Sequence, residues 1–183
     1  PNEYNYVGEW AGKDNIQTVD IYLVDAIKAS VIHQSFSVAA GEYVVAASPN
    51  ASNQIILTPK KAIKTTAGQK AVYAVINTTP EITAALTATT IPAFDNAFKT
   101  VAMGLANSGT STTVSTSASK IANVDTSKDV IVMTNSEDVT LNVLPNITSD
   151  QTLASGADAT KNRVGVKVER AVARVMITTK QIS

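Results

Sequence analysis

The 183-residue chain contains no cysteine. Disulfide staples, thiolate nucleophiles and cysteine-ligated metals are therefore excluded, and stability must come from core burial and strand pairing. Charge is also scarce. Charged residues make up 16% of the chain, 15 basic against 15 acidic, for a formal net charge of zero. A binder of nucleic acid or anionic membrane carries a basic excess to neutralise phosphates. The longest basic cluster is Pro59-Lys60-Lys61, so neither is expected as a partner. A neutral surface lacks long-range self-repulsion, which suits packing against copies of itself. No run of about 18 apolar residues occurs, which excludes a helical membrane span. The eight glycines are dispersed and form no Walker or Rossmann pattern.

What is present is an ordinary globular composition, 44% hydrophobic. The length suits one hydrophobic core, so residues 1–183 are expected to form a single domain. The chain opens Pro1-Asn2-Glu3, without an initiator Met or a signal peptide, as expected of a piece of a longer precursor.

Period-two alternation marks the strands. Val19, Ile21 and Leu23 share one face of the first. Val31 to Val38 reads as a second, with Ile32, Phe36 and Val38 in phase. Tyr43 to Ala47 follows the turn at Gly41, and Ile55-Ile56-Leu57 reads as a short buried strand. Ala67-Gly68-Gln69-Lys70 reads as a turn into Ala71–Asn77, whose β-branched, continuously apolar character places it centrally in a sheet. Thr79-Pro80-Glu81 then offers a capping threonine, a proline at the first helical position and an acid at the positive end of the dipole. Ile82 and Leu86 stand four apart. A second helix begins near Pro92, with Phe94, Phe98, Val101 and Leu105 on one face and Asn107-Ser108-Gly109 at its end. Residues 108–127 read as a Ser/Thr-rich loop, with a polar strand around Thr113–Ser117 as the alternative.

Val130–Thr134 and Val139–Leu144 read as strands of a hairpin joined by Asn135-Ser136-Glu137-Asp138. Thr148–Asn162 reads as a polar loop. In the last segment Val164, Val166 and Val168 are the apolar set, but beyond Arg170 it becomes Ala171, Ala173, Val175 and Ile177. The phase flips near Glu169-Arg170, as at a bulge or a strand that changes sheets. Arg170 and Arg174, beside the flip, are expected to pair with carboxylates or loop carbonyls. The whole predicts a mainly β chain, a β-sandwich with a two-helix insertion at about residues 80–106.

No constellation for catalysis emerges. His33 is the single histidine, it sits in a strand pattern, and no Gly-x-Ser-x-Gly elbow accompanies it. No His spacing suggests zinc, and Asp125, Asp129, Glu137 and Asp138 lack the alternation and central glycine of a calcium loop. The acids are too scattered for a paired-carboxylate site. No cofactor or metal is expected, and no enzyme. The Asn50, Asn77 and Asn146 glycosylation-type triplets are chance matches in a Ser/Thr-rich chain. Tyr4, Tyr6 and Trp10 either cover one end of the core or form a surface that docks a sugar or a partner.

Four segments carry a family resemblance: Val19-Asp20-Ile21-Tyr22-Leu23-Val24; Ala67-Gly68-Gln69-Lys70-Ala71-Val72-Tyr73-Ala74-Val75-Ile76-Asn77; Val132-Met133-Thr134-Asn135; and Val166-Lys167-Val168-Glu169-Arg170-Ala171-Val172-Ala173-Arg174-Val175. In order and spacing the chain resembles the N-terminal domain of the type V pilins, the fimbrial subunits of Bacteroidales-type bacteria. Gly8–Ile16 looks most like the stalk subunit of the short, minor fimbriae. The resemblance implies a transthyretin-like sandwich exported as a lipoprotein, trimmed by a surface protease, and displayed extracellularly on a fimbrium anchored at the outer membrane. Residues 1–183 are expected to correspond to that single domain, with the family's propeptide and C-terminal domain absent. The implied partners are copies of the same pilin and accessory fimbrial subunits, with host or bacterial surface proteins as further ones. Assembly would proceed by a neighbour's strand filling an open groove. The first and last strands are expected to line that groove: Val19, Ile21, Leu23, Val164, Val166, Val168 and Val172. The alternatives are a tip or accessory adhesin domain that binds host protein or glycan through Tyr4, Tyr6 and Trp10, and an unrelated secreted enzyme using His33.

Overall fold

A computed structural model describes residues 15–99, 122–124, 129–135, 137–154 and 159–170. Its centre is one antiparallel sheet built outward from two strands, β1 (Thr18–Asp25) and β5 (Gly68–Ile76). Their registers pair Val19 with Ile76, Ile21 with Ala74 and Leu23 with Val72 on one face, and Tyr22 with Tyr73 on the other. The outer neighbour of β1 is β2 (Ser30–Ser37), paired over its whole length. Beyond β5 lie β8 (Met133–Asn135) and β10 (Val168–Arg170), giving the order β10-β8-β5-β1-β2, while β9 (Val139–Val143) also pairs with β5. Two short ribbons stand apart, β3 (Tyr43–Val45) with β4 (Leu57–Pro59), and β6 (Ala122–Val124) with β7 (Asp129–Ile131). The chain is mainly β with short helices, as its periodicity predicts.

The helices cover one face of the sheet. Helix α1 (Pro80–Ala88) starts as its sequence dictates: the Thr79 side chain accepts from the Ile82 N–H at 3.2 Å, and Pro80 follows. Ile82 and Leu86 are fully buried, each contributing roughly 1.5–3 kcal/mol. A 3₁₀ turn (Ile91–Ala93) leads into α2 (Phe94–Ala97), which presses Phe94 and Phe98 onto Tyr22, Tyr73 and Val75. The expected anchors Val101 and Leu105, the Asn107–Gly109 stop and the 108–127 loop lie outside the described residues. On the opposite face Val19, Phe36, Ile76 and Met133 form a second core, with Tyr43 and Leu57 of the β3–β4 ribbon packed against it.

Four local expectations change. Lys70 belongs to β5, not to a turn; only Gly68, at φ +117°, has turn-like backbone. The strand expected at Ile55–Leu57 sits two residues later, at Leu57–Pro59, and Ile56 is exposed. Thr148–Asn162 contains a helix, α3 (Ser149–Leu153), held by a capping box in which Thr148 and Gln151 satisfy each other's backbone N–H groups. Finally, β8 and β9 are not a hairpin. Both run antiparallel to β5 on the same side, end to end, and the register steps by two residues between them. That step is a bulge in one line of pairing, not a turn between two paired strands.

Asn135 closes the seam at that bulge. Its side-chain amide accepts from Ala74 N–H at 2.7 Å and donates to Val72 C=O at 2.8 Å, replacing the peptide unit that β5 lacks there. Two other asparagines act alike. Asn77 accepts from Gln17 N–H and donates to Asn15 C=O, and Asn162 accepts from and donates to the Leu144 backbone.

Candidate functional site

Hydrogen-bond parity identifies which backbone groups of the sheet are free to recruit another strand. Val38 N–H donates to Gln17 C=O, so in β2 the even-numbered residues bond to β1 and Val31, His33, Ser35 and Ser37 direct N–H and C=O outward. The outward groups of Ser37 are taken by Glu42: its carboxylate accepts the Ser37 N–H and its N–H donates to the Ser37 carbonyl. The Lys61 ammonium and that Ser37 N–H together hold the Glu42 carboxyl below its ordinary range. Among the described residues no strand pairs with the outer edge over Val31, His33 and Ser35. The strand is Ser30-Val31-Ile32-His33-Gln34-Ser35-Phe36-Ser37, without Lys, Arg, Asp, Glu or Pro. Within its own sequence it carries none of the charges or prolines that normally protect an edge.

This edge is rigidly backed. Asp20 of β1 is buried, and its two oxygens reach across to β2: Oδ2 lies 2.6 Å from His33 Nε2, and Oδ1 accepts from Ser35 Oγ at 3.1 Å. The His33 ring stacks on Tyr22, centroids 4.3 Å apart and planes 4° from parallel. Tyr22 in turn meets Phe94 of α2 at 5.6 Å. Burial, and then the Asp20 carboxylate, push the Tyr22 hydroxyl up to about 12. The set Ser35, His33 and Asp20 contains the residue types of a hydrolytic triad in the wrong order. The carboxylate stands between the other two, whereas nucleophilic catalysis needs the imidazole between hydroxyl and carboxylate. The grouping fastens β2 to β1.

Two other polar clusters lie elsewhere. At one end of the sheet Asp25 and Lys70 form a buried ion pair. Over the helix layer, Tyr73 donates to Asp95 at 2.9 Å, while Lys99 bridges Asp95 and Asp138, both at 3.0 Å. Lys99, then Tyr73, lower the Asp95 carboxyl; burial and the bond to Asp95 raise the Tyr73 hydroxyl. Among the described residues no group of three or more His, Cys, Asp or Glu could hold a metal ion, and no helix is long and apolar enough to cross a membrane.

The residues expected to line a groove are divided. Val19 and Leu23 are buried and Ile21 half-buried, on the face away from the helices. Their strand is interior, paired on both sides. Val168 packs against the Val19 cluster from β10, Val166 is half-buried, and Val164 is exposed. Val172, Arg174, Tyr4, Tyr6, Trp10 and the Arg170 side chain lie outside the described residues. Sequence reading missed Asp20 as the partner of His33. A signal existed: counting outward from the Asp25–Ser30 turn sets Asp20 opposite Ser35 and Tyr22 opposite His33.

No family model matches the chain. Two curated sequences of the minor fimbrium subunit Mfa1 from Porphyromonas gingivalis are each 30% identical to it over 182 residues, which is 98% of this chain and 32% of each relative. The chain thus spans about a third of the length of the curated relatives it matches. The solved structure of a candidate cell adhesion protein from Parabacteroides distasonis aligns with 86% of this chain and 34% of its own, at a TM-score of 0.37 and 14% identity.

Proposed function

We propose that residues 1–183 are one domain of a fimbrial subunit, a non-enzymatic cell-surface protein that assembles by accepting an extended strand from a neighbouring subunit. The observation that carries this is the uncharged outer edge of β2, with which no strand pairs among the described residues and which is backed by Asp20 and Tyr22. The similarity to the minor fimbrium subunit over nearly the whole chain supports it.

In this reading Val31, His33 and Ser35 supply the backbone ladder. Main-chain bonds give affinity, and alternate side chains of the incoming strand find pockets beside Ile32 and Phe36. Val19, Ile21, Leu23 and Val168 belong to the floor of that face, and Val172 completes the set the sequence suggests. A pre-formed edge of this kind loses little ordering entropy on binding.

These 183 residues contain no cysteine, and any cysteine elsewhere in the full-length protein is replaced by serine for the test. Val31→Cys and Ile27→Cys are each introduced into the full-length protein as its sole thiol. Ile27 is 90% exposed at the β1–β2 turn. In monomer both variants should react with a maleimide. In assembled fibres labelling of the Val31→Cys variant should fall at least tenfold, while the Ile27→Cys variant stays reactive. Equal labelling of the two variants in fibres would refute strand addition at β2.

A further inference from the structure

The assembly reading makes no use of the Asp25–Lys70 pair. The two residues stand on neighbouring strands, one step beyond the register pair Val24–Ala71. Nζ lies 2.6 Å from Oδ2, and the side chains are 2% and 3% exposed. Removing two opposite charges from water is costly, and an ion pair only partly offsets the loss. The carboxylate is held on its far side as well: Oδ1 accepts from the main-chain N–H of Ile27 at 3.0 Å and of Lys28 at 2.8 Å. The other contacts of Nζ are Thr66 Oγ1 at 3.2 Å and Ala67 C=O at 3.4 Å. A buried amine therefore sits against a carboxyl carbon whose second oxygen faces two fixed N–H donors.

We propose that Lys70 and Asp25 condense with each other, forming an isopeptide bond from Nζ to Cγ that staples β5 to β1. Nζ first passes one proton to Oδ2 along their hydrogen bond. The neutral amine attacks Cγ, and negative charge gathers on Oδ1, where the Ile27 and Lys28 N–H groups stabilise it as an oxyanion hole does. A second proton moves from Nζ to Oδ2, relayed by the Thr66 hydroxyl. The Cγ–Oδ2 bond then breaks and Oδ2 leaves as water. An ammonium and a carboxylate become one amide and one water, with no oxidant, reductant or outside acid. Fixed orientation supplies the effective concentration, and two desolvated charges give way to a neutral group.

Intact mass decides the matter. The folded chain, denatured just before measurement, should be lighter than its sequence mass by one water. Peptide mapping should yield a branched peptide joining the segment that holds Asp25 to the segment that holds Lys70. Lys70→Arg, which keeps the charge but not the nucleophile, should run at full sequence mass. A wild-type chain at full sequence mass overturns the proposal. So does a one-water deficit that maps to a cyclic imide at an aspartate with no branched peptide. The wild-type measurement stands whether or not the arginine variant folds.

Discussion

Among the described residues, the two ends of the strand order β10-β8-β5-β1-β2 are built differently. In the described part of β10, Val168–Arg170, Glu169 places charge on the strand and Lys167 beside it. β2 is eight residues long, carries no formal charge, and is pinned from behind by a buried carboxylate. Short charged edges discourage pairing, and long neutral ones invite it. Among the described residues β2 is therefore the long, neutral end of this strand order, and Tyr22 and Phe94 tie it to the helix layer.

The sharpest way to break this asymmetry is Val31→Pro in the full-length protein. The Val31 N–H points outward, so proline costs the sheet no internal bond. The monomer should keep its Tm within a few degrees, whereas filaments should disappear from electron micrographs. Retained filaments would place assembly elsewhere. Next in size is Phe94→Ala, which empties the support behind Tyr22 and should cost about 3–5 kcal/mol in chemical denaturation. Asn135→Ala should cost about 2 kcal/mol, because it strips Ala74 N–H and Val72 C=O of their partner. Hydrogen exchange at Ala74 should accelerate while the Ile32 and Gln34 amides, bonded to β1, stay protected.

The smallest effect is with acid. Lys99 and Tyr73 hold Asp95 below its ordinary value of 3.8, and Lys61 and the Ser37 N–H hold Glu42 below its own. Lowered carboxyls bind fewer protons folded than unfolded. Their contribution is complete above the ordinary carboxylate value and fades as pH falls through the folded one. Tm should hold steady down to about pH 4 and decline below it. Lys99→Met, which removes the cation beside Asp95, should shift that decline, while Val31→Pro should leave it unchanged.

Much of the fold was legible because local rules and tertiary structure agree. The alternation in Val19–Val24 and the β-branched run Ala71–Ile76 gave the two central strands, and Thr79-Pro80-Glu81 gave the helix start. The bulge after Asn135 was not legible, since Asn-Ser-Glu-Asp suits a hairpin turn as well. What decides is the presence of β5 alongside, and that is tertiary. Lys70 looked like turn material because it is charged, and only Asp25, 45 residues away, makes it a core residue. The open edge had a partial signature, since β2 lacks charge and proline, but a sequence does not say which strand ends a sheet.

The asparagines at 77, 135 and 162 carry a last consequence. Each uses its amide as a spare link of main chain, presenting donor and acceptor together where the real chain has turned away. Two of them, Asn77 and Asn162, also hold positive φ, which asparagine tolerates better than most residues. Aspartate lacks the donor, glutamine adds a methylene, and serine is too short, so no near relative can take the place. Usually a backbone is shaped to position side chains. At these three seams the dependence is reversed, and the identity of one side chain decides whether the backbone is continuous.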